Sequence, residues 1–522
     1  MKFLAKIILL KVVFLSGASF MIIELAGNRI LSVWFGNGLF TLTGLIGTLL
    51  IFMGAGSYLG GYLVDKYPKP ILLSLMLMIS GVFSMLVPYL RKMGDMIPPD
   101  INIIAGPVLA TLLLFSVPGL LLGTITPIAI RLTSLQEGDH HIGLSAGTIG
   151  AWGIIGSVFG TFVTGFYLIP TFSLPTLYCW TGIILILLGL ATYFILNKFS
   201  KNLNLKTLGT MSGLSLLVII VISMNRPGDE TTPYLVHEES SFYHRIRIFE
   251  YPTSDGDIVR QLSLDTTSEG SQYLYKEELP FAYQQFWKLS QLYMPQNENT
   301  FAAFLGGGAF GMPLAVGKHF PSSIVDVIEI DPKVVEVGRK YFKAFTNPRV
   351  KIHTYDARLY LRNNLAKLKK NEEGAKKYHL IFGDTYNGIR AIPSHFVTQE
   401  YFKLISESLN ENGVYMVNII SALEGSKSEF FQSFYKTLKS VFPFVEIYAV
   451  QDPTNFFMIQ NIVLVSGKNE NPIRQNLDQY SDVNSLLENK IEIEQLGQNT
   501  KGQIYTDDFN PVEYVITKSL LN

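Results

Sequence analysis

The chain has 522 residues, 42 basic residues balance 42 acidic ones, and 48% of the residues are hydrophobic. That neutrality removes the electrostatic case for a nucleic-acid partner. A single cysteine, Cys179, excludes an intrachain disulfide framework and a thiolate metal cluster, so no metal site is expected.

Charge is nearly absent before about residue 225 and dense after it, which implies two different solvents. The opening MKFLAKIILLKVVFL has a basic start and an apolar stretch, as a signal peptide does. No clear small-residue cleavage site follows and further apolar segments do, so it reads as a first membrane span. A bilayer core takes roughly 20 apolar residues as helix. Seven segments of that kind are expected, at 7–27, 40–63, 70–90, 103–131, 142–170, 173–196 and 207–224. Gly56 with Gly60, Gly143 with Gly147, and Gly156 with Gly160 have the spacing that lets helices pack closely in lipid. Glu24, Asn28 and Arg29 near the end of the first segment either line a polar cavity or mark the interface, with Arg29 snorkelling. Lys2, Lys6, Lys11, Lys66, Lys69, Lys198, Lys201 and Lys206 fall on one side of a seven-span arrangement. The positive-inside rule then places everything after residue 225 outside, which conflicts with use of a cytosolic nucleotide-type donor. The expected location is therefore a multi-pass position in the cell membrane, with the side of the soluble half left open.

From about residue 230, SFYHRIRIFEY and IVRQLSLDTT read as a β-rich entry region. After a helix-like KEELPFAYQQFWKL come FAAFLGG, IVDVIEID, VKIHTYD, YHLIFGD and GVYMVNII, each followed by a candidate helix. Alternation at this spacing predicts a mostly parallel, doubly wound sheet with its ligand at the carboxyl ends of the strands. Gly306, Gly307 and Gly308 end the first of these strands, and Glu329, Asp356 and Asp384 end or follow the next three. A carboxylate some 20 residues beyond a glycine turn is suited to two ribose hydroxyls, which points to Glu329. Asp356 suits an adenine amino group, and Asp384 an amine that must lose a proton before it attacks. Each acid has a plainer reading as a helix cap or turn residue. Three in succession after a glycine turn favour a ligand site.

The order GGG, VIEID, YDAR, YHLIFGD resembles the spermidine synthase family, aminopropyltransferases on the AdoMet-methyltransferase-like fold. ELAGNRILSVWFGN and GSYLGGYLVDKYPK are similar to the multi-span segment of membrane-fused members, as are IPSHFVTQEYF and YTDDFNPVEYV near the end. The resemblance implies four parts. Residues 1–226 form a transmembrane helical domain, 227–295 a small β-rich region, 296–467 a Rossmann-like catalytic domain, and 468–522 a tail packed on it. It assigns Gly306, Gly307, Gly308 and the adjoining Ala309 to the methionine-like portion of the donor, Glu329 to the ribose and Asp356 to the adenine. Asp384 becomes the catalytic carboxylate, with Tyr275 of YLYKEEL near the acceptor and Gln272 a weaker neighbour. The donor implied is decarboxylated AdoMet or AdoMet, and the acceptor is a polyamine-like amine. The partners are that small molecule and the lipid bilayer, and the family pattern allows a homodimer.

Two departures stand out. Soluble members read GGGDGG, where the acid faces the donor ammonium, and this chain has Ala309 there. One charge pair at about 4 Å is worth roughly 4 kcal/mol at an effective dielectric near 20, enough to reverse a donor preference. The family's DSSD reads DTYN here, so Asn387 stands in place of a second acid. His395 is either a general acid or base or an ordinary loop residue. Asp507 and Asp508 either approach the site from the tail or make a plain turn. Three functions are therefore in play: an aminopropyltransferase, an AdoMet-dependent methyltransferase or lyase on the same scaffold, and a polyamine- or nucleoside-sensing transporter.

Overall fold

The structure is a computed structural model that describes residues 2–35, 38–90, 105–137, 142–198, 209, 213, 216, 234–265, 267–295, 298–386, 392–470, 481–497 and 502–521. Its contacts divide the chain into two units, Met1–Thr232 and Pro233–Asn522.

The first unit is built from α1 (Lys2–Phe35), α2 (Leu39–Lys66), α3 (Pro70–Leu90), α4 (Ala105–Gly123), α5 (Ile125–Glu137), α6 (Ile142–Val163) and α7 (Leu174–Lys198). Among the described residues, six segments are long and apolar enough to cross a membrane: Ala5–Ser32, Leu39–Lys66, Pro70–Leu90, Ala105–Leu135, Ile142–Leu168 and Leu174–Leu196. The seventh expected segment, 207–224, falls almost wholly outside the described residues. The long fourth segment contains a break. Pro127 has no N–H to bond the carbonyl four residues back, and Thr124 closes a tighter turn onto Leu121 (N to O, 3.1 Å) between α4 and α5. In the fifth segment, α6 passes through a π-helical turn at Thr164–Leu168.

The expected glycine pairs separate into two kinds. A Cβ on Gly56 would lie 2.0 Å from the Leu120 carbonyl oxygen, and one on Gly60 would lie 2.6 Å from that of Thr124, so α2 packs backbone to backbone on α4. Gly156 and Gly160 do the same for α6 against α1, at Phe14 and Ala18. Gly143 and Gly147 face open space, so packing in this unit does not account for that pair. Substitution of Gly56 by Leu is therefore expected to lower the thermal unfolding temperature of the purified protein by several degrees. Gly143→Leu should leave it within about 0.5 kcal/mol of the native stability. Equal effects at the two positions would show that the α2–α4 contact is not what holds these helices.

The second unit opens with a four-stranded antiparallel meander, β1 (Leu235–Ser240), β2 (Arg245–Pro252), β3 (Ile258–Leu264) and β4 (Thr267–Tyr273). A 3₁₀ helix at Ala282–Leu292 leads into the main sheet. That sheet contains β5 (Phe301–Leu305), β6 (Ile324–Glu329), β7 (Val350–Thr354), β8 (Tyr378–Gly383), β9 (Leu409–Ser421), β10 (Phe444–Ala449), β11 (Gln460–Gly467) and β12 (Lys490–Ile491), in the order β12-β10-β11-β9-β8-β5-β6-β7. The five expected strands are β5 to β9 and pair in parallel, whereas β10, β11 and β12 add an antiparallel edge.

Helices cover both faces. α8 (Gly311–His319) and α9 (Pro332–Tyr341) bury Val316, Val334 and Val337 with Phe286 of the 3₁₀ helix in one core. α10 (Ala357–Lys369), α11 (Gln399–Ser408), α12 (Glu429–Lys439) and α14 (Val512–Leu521) bury Leu361, Phe402, Phe434 and Val515 in the other, and α13 (Ser481–Leu487) precedes β12. From β5 the order runs through β6 and β7 on one side and β8 and β9 on the other, so the chain reverses between β5 and β8. A crevice opens at such a point, outside the carboxyl ends of the strands.

Candidate active site

β5 ends in the turn Gly306–Gly311, wedged between its neighbours: the Gly306 N–H donates to Ile328 O (2.9 Å) and the Asp384 N–H to Leu305 O (3.0 Å). Gly306 has φ +102°, and a Cβ there would meet the Asp384 carbonyl oxygen at 2.4 Å. Gly308 has φ +47°, and a Cβ there would lie 2.5 Å from the Glu269 carbonyl oxygen on β4. Only glycine fits either position, because both require the left-handed region and close backbone approach. Phe310 also adopts a left-handed conformation, φ 58°, as the N-cap of α8. That costs about 1–2 kcal/mol for a residue with a Cβ. Its ring is wholly buried against Gly338 of α9, where a Cβ would come within 2.3 Å of the ring. Burial of a phenyl side chain contributes about 1.5–3 kcal/mol, which offsets the backbone cost and anchors the turn in the core.

The acids then fall into place around one cavity of roughly 240 Å³. Glu329, at the end of β6, is 8% exposed. It accepts from the Gly307 N–H (2.8 Å, Oε2) and the Asp331 N–H (2.9 Å, Oε1). Burial pushes its carboxyl up and those two N–H groups oppose the shift. Asp356 caps α10, accepting from the Leu359 N–H at 2.8 Å, and also lines the cavity. The helix-cap reading holds, and the same residue is placed on the cavity. Asp384 follows β8 and accepts from Asn418 Nδ2 (3.1 Å), whose Oδ1 accepts in turn from Asn461 Nδ2 (3.1 Å). Burial raises Asp384 to about 6.

Gly306, Gly307, Gly308, Ala309, Glu329, Asp356, Asp384 and His395 all border this cavity. Tyr275 does not. It is 75% exposed, its backbone N–H bonds Asp257 (3.2 Å), and Tyr283 of AYQQF on the 3₁₀ helix lines the cavity instead. Gln272 is also absent from the lining. It is buried, and its Nε2 donates to Ala309 O (2.8 Å) and Phe342 O (2.9 Å), tying the glycine turn to the end of α9. In the structure it holds the turn. Asn387 lies outside the described residues.

His395 stands at the mouth, where desolvation of its ring holds it below the ordinary histidine value. Arg358 donates to its carbonyl oxygen (3.0 Å) and grips Asp507 with two bonds, 2.9 and 2.5 Å. Asp507 also accepts from Thr398 Oγ1 (2.7 Å), and Asn510 donates to Ser394 O (2.5 Å). The tail thus fastens the loop that carries His395.

Glu269 was not singled out from the sequence. It lies on β4, accepts from Thr267 Oγ1 (2.6 Å), and faces the cavity. Burial lifts it to about 7, with the Asp384 charge adding to the rise and Thr267 and His244 opposing it. Burial pulls His244 down, but its contact with Asp265 (3.0 Å) more than offsets this and leaves it raised. Burial and the nearby Asp331, Asp356 and Glu329 charges raise the Tyr243 hydroxyl. No lysine or arginine lies among the described residues that line the cavity, and among the described residues no cluster is placed to hold a metal ion. Apolar walls come from Ile330, Ala357, Pro393 and Phe396. Such a cavity suits a flat apolar ring at one end and positive charge at the other.

Because Asp384 and Glu269 are raised in the folded state, the native protein binds their protons more tightly than the unfolded chain does. Their contribution to stability is complete below the ordinary carboxylate range and is lost as pH rises through about 6 and about 7. The stability of Asp384→Asn relative to the native protein should therefore increase as pH rises from about 4 to about 6 and level off above that, in thermal unfolding of the full chain. A difference that does not change with pH would rule out a buried, raised carboxyl at Asp384.

Residues 291–475 match the spermine/spermidine synthase domain family. The chain is 26% identical over 320 residues to the polyamine aminopropyltransferase of Vibrio vulnificus, spanning 58% of this chain and 98% of that protein. It is 31% identical over 156 residues to the human eEF1A lysine and N-terminal methyltransferase, covering 29% of this chain and 21% of that one. Both relatives are transferases. A probable spermidine synthase from Corynebacterium glutamicum aligns over 53% of this chain and 96% of its own, with a TM-score of 0.41 and 19% identity.

Proposed function

We propose that this chain, whose soluble half is a spermidine synthase-like domain of the AdoMet-methyltransferase-like fold, is an integral-membrane aminopropyltransferase. Its donor is decarboxylated AdoMet and its acceptor an amine. The six long apolar helices support a multi-pass location. The observation that carries the donor assignment is the charge of the cavity: Glu269, Glu329, Asp356 and Asp384 line it, with no lysine or arginine among the described lining residues. Decarboxylated AdoMet brings a sulfonium and an ammonium, both attracted to this lining. Intact AdoMet adds a carboxylate, which these four acids repel.

The adenine lies between the apolar walls with Asp356 at its amino group, and the ribose hydroxyls meet Glu329. The glycine turn lets the backbone pass close to the sulfonium. The acceptor amine, held near Asp384, Tyr283 and Tyr386, attacks the methylene carbon beside sulfur. A C–N bond forms, the C–S bond breaks, and its electron pair returns to sulfur, releasing neutral methylthioadenosine. Before that attack Asp384, held by Asn418, takes the proton of the acceptor's ammonium and so frees its lone pair, as a general base set near its working pH.

A second reading, transfer from intact AdoMet, is favoured by Ala309, where the glycine turn carries no acid. Incubation of the detergent-purified chain with labelled decarboxylated AdoMet and putrescine should yield spermidine and methylthioadenosine. Asp384→Asn should lower kcat by about 10²–10⁴-fold while leaving methylthioadenosine affinity unchanged. Product from AdoMet but not from decarboxylated AdoMet would establish the second reading, and ligand flux in proteoliposomes without turnover would establish a transporter.

A further inference from the structure

Resting on the donor reading above, we infer that Glu269 is the residue that selects the decarboxylated donor, supplying from β4 the negative charge that the turn lacks at Ala309. Three features of the geometry support this. First, β4 lies directly on the glycine turn. A Cβ on Gly308 would meet the Glu269 carbonyl oxygen at 2.5 Å, and a Cβ on Gly270 would come within 3.0 Å of the Ala309 Cβ. With that strand against it, Ala309 is 2% exposed. The acid has changed its place in the chain but not the region of space it serves.

Second, the Glu269 side chain lines the same cavity as Asp384 and Glu329 and interacts electrostatically with both, as well as with His244. It therefore shares the cavity with both the base and the ribose-binding acid, beside the turn along which the three-carbon chain of the donor must run. Third, its carboxylate is already oriented. Thr267 Oγ1 donates to Oε1 at 2.6 Å, and Tyr283 OH donates to the backbone carbonyl of Glu269 at 3.4 Å, which holds that stretch of β4 but not the carboxylate. An oriented, desolvated carboxylate bonded to an ammonium discriminates strongly between ligands with and without that ammonium, and repels a carboxylate at the same place.

The three relevant ligands share the adenosine and its 5′ sulfur, a sulfonium in the two donors and a neutral thioether in methylthioadenosine, and the two donors differ in charge at the chain end. Decarboxylated AdoMet carries an ammonium alone, AdoMet an ammonium with a carboxylate, and methylthioadenosine neither. Calorimetric affinities of the purified full chain for these three therefore read the role of Glu269 without requiring turnover. The native protein should bind decarboxylated AdoMet more tightly than AdoMet. Glu269→Gln should weaken binding of decarboxylated AdoMet by about 10- to 100-fold. It should leave methylthioadenosine affinity within about twofold and reduce the preference over AdoMet. Glu269→Asp, which keeps the charge, should recover part of the loss.

If native protein shows no preference for decarboxylated AdoMet, the donor reading itself fails. If the preference is present and Glu269→Gln preserves it, the donor reading stands and the assignment to Glu269 is overturned. Equal loss of methylthioadenosine binding in Glu269→Gln would also overturn it, since the residue would then be supporting the cavity and not meeting the ammonium.

Discussion

The hydrogen bond from the Gly307 N–H to the buried Glu329 carboxylate is the contact around which the soluble half is arranged. It joins the turn after β5 to the end of β6 at the place where the sheet reverses direction, and burial makes it costly to break. A carboxylate removed from water needs its hydrogen bonds satisfied, and both oxygens of Glu329 receive backbone donors. Once the turn is held there, Gly306 lies on the backbone of Asp384, Gly308 on that of Glu269, and the Phe310 ring under α9. Four strands contribute a residue to one cavity because one turn is pinned between them.

That arrangement also explains why the cavity is acidic without being unstable. Each carboxylate has a neighbour that limits its burial penalty: backbone N–H groups for Glu329 and Asp356, Asn418 for Asp384, and Thr267 for Glu269. The remaining imbalance, visible in the raised Asp384 and Glu269, is what a positively charged ligand would relieve. Binding and deprotonation are thereby coupled, so a cationic donor helps to generate the base that acts on the acceptor.

The helical half follows a different logic. Close backbone approach depends on residues without a Cβ, and Gly56, Gly60, Gly156 and Gly160 let backbones touch. Gly143 and Gly147 have the same spacing but face open space. Spacing alone therefore marks a surface capable of close packing without saying which surface is packed.

By itself the sequence determined the strand order along the chain, the glycine turn, and the acids Glu329, Asp356 and Asp384 at the strand ends. Those features are local: apolar runs bounded by glycine and aspartate read as strand and turn wherever they occur. It also separated the lipid-like half from the charged half, since composition changes sharply between them. The meander residues were beyond it. Glu269 and Gln272 lie close together in the sequence, and only the pairing of β3 with β4 and their approach to the turn decides which of them faces the cavity, while the 3₁₀ helix and not the end of β4 brings a tyrosine, Tyr283, to it. Because alternate residues of a strand point to opposite faces, a small difference in register exchanges a cavity residue for a structural one. The turn at GGGAFG could be read as a nucleoside-binding element lacking its acid. Tertiary structure brought Glu269 alongside it, from a strand some forty residues earlier in the chain.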